Sequence, residues 1–430
     1  MTDTATAPAS ARTGWKALDI DTRLLGMIGA FIVIAVAVDL ASGGRFITPR
    51  NLFNLTIQTA SVAIMATGMV FIIVTRHIDL SVGSVLATCS AVMAMTQTVV
   101  MPDMLGLGLG HPLTPWVAIA FGMFAGAAIG AFHGYLVGYL AIPAFIVTLG
   151  GLLVWRNVAW YATNGQTIGP LDETFQLFGG INGTLGVTGS WILGIVGAGA
   201  AIWALLAARR SKIAHDFPVK PMWAEVTVMA IVAGAILGFV ALLNAYEVPR
   251  RVLEREFEAS GMTMPEGYTE GYGVPISIVL LIVVAIVMTV IARRTRFGRY
   301  IFATGGNPDA AELSGIDTRM LTVKIFALMG VLCAISAVVA SARLTNHSND
   351  IGILDELRVI AAAVIGGTAL KGGIGTIHGA IIGALIMQSL QSGMAMVGVD
   401  APLQNIVVGG VLVLAVWIDI VYRKRTGARD

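Results

Sequence analysis

The side chains best arranged for a defined interaction lie in a polar stretch between two long apolar segments, ARRTRFGRYIFATGGNPDAAELSGIDTRMLTVK. Asn307 is a good N-cap, and Pro308 suits the first helical position, where an N–H has no helical partner. Asp309 puts negative charge on the first turn, and Gly315 follows where a left-handed cap would end the helix. A helix of about two turns is too short to be stable alone in water. The pattern therefore predicts either a docking helix for a soluble partner or a solvated connector.

A second polar stretch, TRHIDLSVGS, joins two apolar runs with almost no connecting loop. Asp79 and Ser81 can serve as N-caps for the following helix, which satisfies N–H groups that would otherwise lack partners at membrane depth. Gly83 then permits close helix contact. Because ionisable residues at a membrane boundary are costly, Asp79 and Ser81 are candidates for a gate or a cytoplasmic interface. A purely capping and folding role is the alternative.

A third stretch, IPAFIVTLGG, precedes Trp155, Arg156 and Asn157. Pro143 predicts a tight turn that breaks the preceding helix. Thr148 falls mid-membrane beside two glycines, where hydroxyl and small residues either line a polar path or let helices approach closely. Arg156 and Asn157 approach the outer face and are candidates for the polar lining of the same path.

A fourth stretch, RLTNHSNDIGILDELRVIAAAVIGGTALK, collects carboxylates and amides at a predicted outer mouth. These residues are Asn346, Asn349, Asp350, Asp355 and Glu356. Gly366 and Gly367 then open a glycine-rich run that interrupts the apolar pattern. Non-helical backbone at membrane depth is tolerated only where protein or water satisfies it. We expect either a discontinuous segment that lines a translocation path, with Glu356, Gly366 and Gly367 in it, or simple tight packing.

The composition places these stretches in a membrane protein. Hydrophobic residues make up 56% and charged residues 12% of the 430 positions, whereas soluble domains average about 25% charged. Recurring apolar runs predict an all-α polytopic bundle of about twelve membrane segments. They lie near 24–41, 56–75, 80–101, 116–142, 144–162, 189–208, 222–244, 274–292, 321–342, 359–370, 376–392 and 402–421. The tenth is short, and we expect a half-helix or a re-entrant piece there.

Charge asymmetry predicts the orientation. Basic residues concentrate in the loop after residue 208, in the loop 293–320 and at the C-terminus, and the N-terminal tail carries Arg12, Lys16 and Arg23; such regions face the cytoplasm. Twelve crossings put all four on one side, with both termini cytoplasmic, and leave the acidic stretch 245–273 outside. One transmembrane domain, 23–430, follows the tail. Segments two to five and nine to twelve are offset by seven crossings, which is compatible with an inverted repeat.

Several chemistries are excluded by the sequence. No lysine follows a glycine, so the chain has no P-loop of its own. It has no HExxH, GxSxG or CxxC motif, and no paired carboxylates lie deep in one span. Nucleic-acid binding has no support, and we expect no catalytic residue, metal site or cofactor. These absences favour a channel or a permease that another subunit drives.

The same stretches resemble the membrane permeases of bacterial ATP-binding-cassette sugar importers, in the ribose/xylose/galactoside branch. The matching pieces are GMVFIIVTRHIDLSVGS, IPAFIVTLGGLLVWRNVAW, RTRFGRYIFATGGNPDAAELSGI and VIAAAVIGGTALKGGIGTIHGAIIGAL, in the family's order. The resemblance implies that the capped helix is the coupling helix, which docks on the ATPase. It places at that contact Asn307, Pro308, Asp309, Ala310, Ala311, Glu312 and Gly315.

The middle of the chain, roughly 209–273, is longer than in ribose-type members and resembles xylose-type permeases. One departure is Arg-Asn-Val at 156–158, where the family usually reads Arg-Gly. The resemblance implies an inner-membrane permease subunit that moves a monosaccharide, xylose or a related sugar, into the cytoplasm. Its implied partners are ATPase subunits, a periplasmic sugar-binding protein and a second copy of the permease. An ion-coupled secondary transporter acting alone is the alternative, and the missing acid pair disfavours a membrane-embedded glycosyl-transferring enzyme.

Overall fold

The computed structural model describes residues 22–181 and 183–425, which are mainly helical. In chain order the helices are α1 Thr22–Ala41, α2 Pro49–Val74, α3 Val82–Met95, α4 Met101–Leu105, α5 Thr114–Gly138, α6 Ala144–Ala162, α7 Glu173–Gln176, α8 Gly186–Ala214, α9 Met222–Asn244, α10 Arg250–Ala259, α11 Ile276–Arg294, α12 Arg296–Gly306, α13 Pro308–Leu313, α14 Thr318–Leu344, α15 Asp355–Ile365, α16 Ile377–Met396 and α17 Ala401–Arg425. A π-helical turn, Thr96–Val100, joins α3 to α4, and a 3₁₀ turn, Leu177–Gly179, follows α7.

The predicted membrane bundle is confirmed. Within the described residues, ten continuous helical stretches are long and apolar enough to cross a membrane, and α17 adds a shorter apolar helix, Ala401–Trp417. The predicted segment 359–370 differs from the others as expected. Its helix, α15, has 11 residues, which span about 16 Å, and turns without helix connect it to α16. The short tenth segment is therefore a half-helix followed by irregular backbone.

Side-chain oxygens start several of these helices. Thr48, Thr295, Asp317 and Thr376 each accept a hydrogen bond from the backbone N–H three residues on, at the N-termini of α2, α12, α14 and α16. Each bond satisfies an N–H that has no partner within its helix. Local sequence thus determines where these helices begin.

The chain forms two compact units. The first contains residues 22–26 and Leu185–Val274, and the second contains Met27–Thr184 and 275–425. In the first unit, α8 and α9 pack as a hairpin. After α9 the chain bends back on itself through a bridge between Glu247 and Gly271, beside which the Tyr246 and Tyr272 rings stack with centroids 4.9 Å apart. The extended middle region noted in the sequence, 209–273, lies inside this unit.

The second unit is organised around α2 and α14, whose side chains are mostly buried. A glycine recurs at every fourth position of α5 on the side that faces α14. At Gly126 and Gly130 an added methyl group would collide with the carbonyl oxygens of Gly330 and Phe326. The two helix backbones can therefore approach closely, as small residues permit in membrane proteins.

The helices of the second unit pack in matching pairs. Helix α5 packs on α14 as α16 packs on α2, and α3 contacts α14 as α15 contacts α2. The pairs α3–α5 and α3–α6 likewise have counterparts in α15–α16 and α15–α17. A left-handed residue follows each of these two helices: Arg76 (φ 65°) lies two residues after the end of α2, and Thr345 (φ 59°) directly follows α14. Segments two to five and nine to twelve thus have corresponding contacts, and their inverted relation stays a prediction.

Candidate functional site

Two stretches of non-helical backbone meet inside the second unit. One, 75–81, separates α2 from α3, and the other, 345–354, separates α14 from α15. Where the first stretch leads into α3, Gly83, the second residue of that helix, contacts Gly352 of the second stretch, and a methyl group on either glycine would collide with the carbonyl oxygen of the other. Gly352 also has a left-handed φ of 73°, which a side chain would disfavour. Both positions therefore require glycine.

Arg156 holds the second of these stretches in place. Its Nη1 donates hydrogen bonds to the carbonyl oxygens of Asn349 (3.1 Å) and Ile351 (2.5 Å). Arg156 lies well within α6, so the stretch 345–354 descends alongside that helix. A charged donor thus satisfies carbonyl groups that have no helical partner, as backbone at membrane depth requires.

A chain of hydrogen bonds links the end of the first stretch to α5 and α6. The Oδ1 of Asp79 accepts from the Ser81 N–H (2.8 Å) and hydroxyl (2.6 Å). The Ser81 hydroxyl lies 3.3 Å from Nδ1 of His133, and the indole N–H of Trp155 donates to Nε2 of that ring (2.8 Å). Because tryptophan can only donate, Nε2 is unprotonated and a neutral His133 carries its proton on Nδ1. The protons therefore point in one direction, from Trp155 through His133 and Ser81 to Asp79.

The prediction that the Ser81 side chain caps α3 is wrong. Ser81 occupies the position before α3, but its side chain caps none of the helix N–H groups. The hydroxyl turns to Asp79 instead, because a buried carboxylate is a stronger acceptor than the alternatives nearby and is costly to leave unpaired. His133 and Trp155 belong to this network and were not singled out by sequence reasoning. The available signal was a lone histidine inside an otherwise apolar helix.

The remaining candidates from α6 and α15 do not gather at one point. Thr148 is buried, donates to the Ala144 carbonyl of its own helix (2.9 Å) and lies 3.2 Å from the Ile78 carbonyl. Asn157 donates to Leu153 of its own helix on an exposed face. Thr148 therefore belongs with the first non-helical stretch, whereas Asn157 lies apart from both.

Glu356 and the two glycines lie at opposite ends of α15. Glu356 is buried with its carboxylate against Gly83. Gly366 ends the helix and packs against the backbone of Gly379, while Gly367 has a left-handed φ of 91° that opens the irregular connection to α16. Gly366 and Gly367 therefore shape that connection and do not share a site with Glu356.

A polar cavity of about 560 Å³ opens beside the second non-helical stretch. Most of its polar lining consists of amide and charged side chains from α2, α14, the stretch 345–354, α15, α16 and α17. These are Gln58, Arg343, Asp350, Asp355, Arg358, Gln388, Gln391, Gln404 and Asn405.

Within the cavity wall, charges and amides are paired across helices. Arg358 forms a salt bridge with Asp355 (2.9 Å), and Gln388 donates to Gln58 (2.8 Å), which joins α16 to α2. The amide pair uses one N–H and one oxygen, so each side chain keeps further donor and acceptor capacity. Of the predicted outer-mouth cluster, Asp350 and Asp355 line this cavity. Sequence reasoning did not identify the glutamines of α2, α16 and α17. The signal that could have found them is the presence of amide side chains in otherwise apolar segments.

The helix predicted from Asn307 to Gly315 is present as α13, Pro308–Leu313. Asn307 Oδ1 accepts from the Ala310 N–H (3.0 Å), and Gly315 has a left-handed φ of 84°. The helix has 6 residues, slightly short of the two turns predicted.

One side of α13 packs against the protein and the other is open. Ala311 is buried, whereas Asp309, Ala310 and Glu312 are exposed, together with the predicted contact residue Asn307. Leu313, which sequence reasoning missed, is 89% exposed. A large apolar side chain this open at the end of a capped helix suits contact with another protein.

Arg76 connects the segment before α13 to the first non-helical stretch. Its guanidinium donates to the carbonyl oxygens of Gly305 (3.0 Å) and Gly306 (2.8 Å), at the end of α12. The Gly373 N–H donates to the Val74 carbonyl at the same place (2.9 Å). Burial lowers the pKa of the adjacent His77 below its usual value, so this ring is neutral at neutral pH. The end of α2, the segment before α13 and the α15–α16 connection therefore form one junction.

Comparison with known proteins gives matches over nearly the whole chain. The family described as "Branched-chain amino acid transport system / permease component" matches residues 51–416. The xylose transport system permease protein XylH of Haemophilus influenzae is 36% identical, over 96% of this chain and 100% of that protein. The Escherichia coli K12 XylH is 35% identical over 96% and 95%. The ribose import permease protein RbsC of the same organism is 32% identical over 91% and 92%. No solved structure matches the chain.

Proposed function

Because this chain belongs to the branched-chain amino acid transport system / permease component family, we propose that it is the membrane subunit of an ATP-driven importer for xylose or a related monosaccharide. Relatives over nearly the full length are permeases named for xylose and ribose transport. The chain is a multi-pass membrane protein with ten long apolar helices among its described residues. Its relatives are transport permeases and not enzymes, so ATP hydrolysis belongs to a partner.

The polar cavity is the observation that supports a sugar as the substrate. Its volume of about 560 Å³ lies within the range of about 300–1,000 Å³ that small-molecule sites occupy. Sugars present many hydroxyl groups, each a donor and an acceptor, and planar amides and carboxylates match both roles. Gln58, Gln388, Asp350 and Asn405 supply those groups on the side predicted to face outward.

The coupling step follows from the junction around Arg76. An ATPase subunit that seats Leu313 and the exposed side of α13 would pull on the segment to which Arg76 is bonded. That movement would reach the first non-helical stretch and, through Gly83, the loop that borders the cavity. Rearrangement of non-helical backbone between packed helices is the kind of hinge that alternating access uses.

Three partners complete the proposal. A periplasmic sugar-binding protein delivers the sugar at the outer loops, two ATPase subunits bind at α13, and a second copy of the permease completes the assembly. Asn307, Pro308, Asp309, Ala310, Ala311, Glu312 and Gly315 form the ATPase contact together with Leu313.

The test is uptake of labelled xylose in proteoliposomes that contain the permease, its ATPase and its binding protein. We expect uptake to require ATP hydrolysis. Gln388→Ala should raise the sugar concentration for half-maximal uptake by about 2- to 10-fold, the equivalent of one lost hydrogen bond. Gln166→Ala, which removes an exposed amide outside the cavity, is the control and should change it little.

Two results would contradict the proposal. Uptake by the permease alone, driven by a pH gradient, would identify an ion-coupled secondary transporter. Equal effects of Gln388→Ala and Gln166→Ala would remove the cavity from the sugar path.

A further inference from the structure

A second large cavity of the second unit, of about 420 Å³, borders the first non-helical stretch. We call it the inner cavity. It is lined by Arg76, His77 and Ile78 of that stretch, by Val137 at the end of α5, and by residues 141–145 of the turn and the start of α6. The sugar site proposed above does not include it.

The inner cavity and the polar cavity lie at opposite ends of α2 and α6. Ser61 of α2 lines the polar cavity, and Arg76, just after α2, lines the inner one, about 20 Å away along the helix. On α6, Phe145 lines the inner cavity, whereas Arg156 donates to the Ile351 carbonyl beside the polar cavity. Because Arg76 is bonded to the end of α12 in the basic loop, the inner cavity lies on the side predicted to face the cytoplasm.

The two cavities occupy matching places in the paired helices. The stretch 345–354, the C-terminal half of α16 and the start of α17 line the polar cavity. The stretch 75–81, the end of α5 and the start of α6 line the inner cavity in the same arrangement. Both volumes lie within the range of small-molecule sites. A sugar that fits the polar cavity therefore has a second cavity of suitable size on the other side.

The inner cavity offers few hydrogen-bonding side chains to such a sugar. They are Arg76 and His77, and the other side chains of its wall are apolar. A guanidinium has five N–H donors, and Arg76 uses two of them for the carbonyls of Gly305 and Gly306. The neutral His77 ring adds one donor and one acceptor. The inner cavity can therefore bind a sugar, but more weakly than the polar cavity.

Arg76 belongs both to the inner cavity and to the junction before α13. A ligand that accepts a hydrogen bond from Arg76 contacts the side chain that holds the end of α12. The proposed ATPase contact begins at the next residue, Asn307. A ligand that binds one arrangement of a shared element better than another shifts the element toward that arrangement. Occupancy of the inner cavity therefore acts on the segment that couples ATP hydrolysis to transport.

We propose that the inner cavity is a cytoplasmic monosaccharide site through which accumulated sugar slows its own import. The ligand is the imported sugar, so the inference rests on the proposed function. Arg76 and His77 bind its hydroxyl groups, and Ile142 and Phe145 contact the apolar face of its ring. With sugar bound, Arg76 stays bonded to the end of α12, and the coupling segment is held in its resting position.

The test uses proteoliposomes of the proposed complex, with the ATPase and ATP enclosed and the binding protein outside. Initial uptake of labelled xylose and ATP hydrolysis are both measured at increasing concentrations of unlabelled xylose loaded inside. We expect the two rates to fall in parallel, with half-inhibition at millimolar sugar, as befits a site with few hydrogen bonds.

Two variants of the cavity wall should relieve the inhibition. His77→Ala should raise the internal xylose concentration for half-inhibition by about 2- to 10-fold, the equivalent of one lost hydrogen bond. Phe145→Ala should raise it by about fivefold, which corresponds to about 40 Å² of lost apolar contact. Leu140→Ala is the matched control, because Leu140 and Phe145 flank the same turn and are both half exposed, but only Phe145 lines the cavity. It should change the value by less than about twofold.

Four results would overturn the inference. Absence of ATP-dependent uptake without internal sugar would remove the proposed function as well. ATP-dependent uptake that internal xylose leaves unchanged would remove this inference alone. A fall in labelled uptake without a fall in ATP hydrolysis would show exchange of sugar and not control of coupling. Equal shifts for Phe145→Ala and Leu140→Ala would exclude the inner cavity as the site.

Thermal melts of each variant separate loss of the site from loss of the fold. The His77 ring packs against Phe326, with centroids 5.9 Å apart, so His77→Ala can lose stability. In that case the comparison of Phe145→Ala with Leu140→Ala decides the test.

Discussion

The two non-helical stretches of the second unit occupy corresponding places, yet they are held by different partners. In 75–81 the polar side chains turn inward: Asp79 and Ser81 are buried and bonded to each other, and Arg76 is tied to α12. In 345–354 the backbone accepts hydrogen bonds from Arg156 of α6, while Asp350 lines the polar cavity. In the function proposed above, the first stretch transmits movement from the coupling side, and the second presents polar groups to the sugar. The two stretches thus differ in the partners that their neighbouring helices provide.

The crossing of the two stretches gives the largest expected effect. Gly352→Ala places a methyl group against the Gly83 carbonyl at a left-handed φ. The left-handed conformation costs about 1–2 kcal/mol, and the collision adds about 1–3 kcal/mol. We expect a sharp fall in the melting temperature of the purified permease and loss of transport.

Gly150→Ala is the matched control for that substitution. Gly150 belongs to the second unit as well but lies inside helix α6, where nothing lies within 4 Å of its added methyl group. The melting temperature of the Gly150→Ala protein should stay near that of the wild type. A stable Gly352→Ala protein would show that the two stretches separate without cost, and the comparison between them would lose its structural basis.

The coupling side is tested by Ala311→Pro in α13. Proline removes the N–H that bonds to the Asn307 carbonyl (3.0 Å) and costs about 3 kcal/mol in a helix. We expect the ATPase to be lost on co-purification and sugar-stimulated hydrolysis to disappear. Asn307→Ala, which removes a cap of roughly 0.5–2 kcal/mol, should be intermediate.

The Ala311→Pro variant also tests whether the two stretches have separate roles. Sugar binding at the cavity should survive Ala311→Pro, because the cavity is lined by the second stretch and not by the first. This is measured as xylose-dependent protection against thermal unfolding. Full coupling in the proline variant would make α13 a simple connector.

The smallest expected effect concerns the network that closes the first stretch. Ser81→Ala removes the hydroxyl between His133 and Asp79 and leaves buried polar groups unsatisfied, at a cost of about 1–3 kcal/mol. Ser389→Ala is the control, since Ser389 is also fully buried but bonds only back to Leu385 of its own helix (2.6 Å). Melting temperatures in the same detergent check the difference. Equal values would mean that the network adds nothing to stability.

Much of the local structure follows from the sequence. Apolar runs predicted the membrane helices, and the short tenth segment, predicted as a half-helix or a re-entrant piece, contains an 11-residue helix. The Asn307 cap and the left-handed Gly315 were predicted as well. These features depend on residues a few positions apart, whose hydrogen bonds and conformational preferences act before any tertiary contact forms.

The pairs that make the site were decided only by tertiary structure. Gln58 and Gln388 are 330 positions apart, and Arg156 reaches carbonyl groups 193 and 195 positions away. Ser81 was expected to cap its helix, but its hydroxyl donates to Asp79 and lies 3.3 Å from His133 Nδ1, because the fold brings α5 beside it. Periodicity and capping patterns report which residues prefer a helix. They carry no information on which distant buried polar groups will satisfy one another, since that depends on how the helices pack.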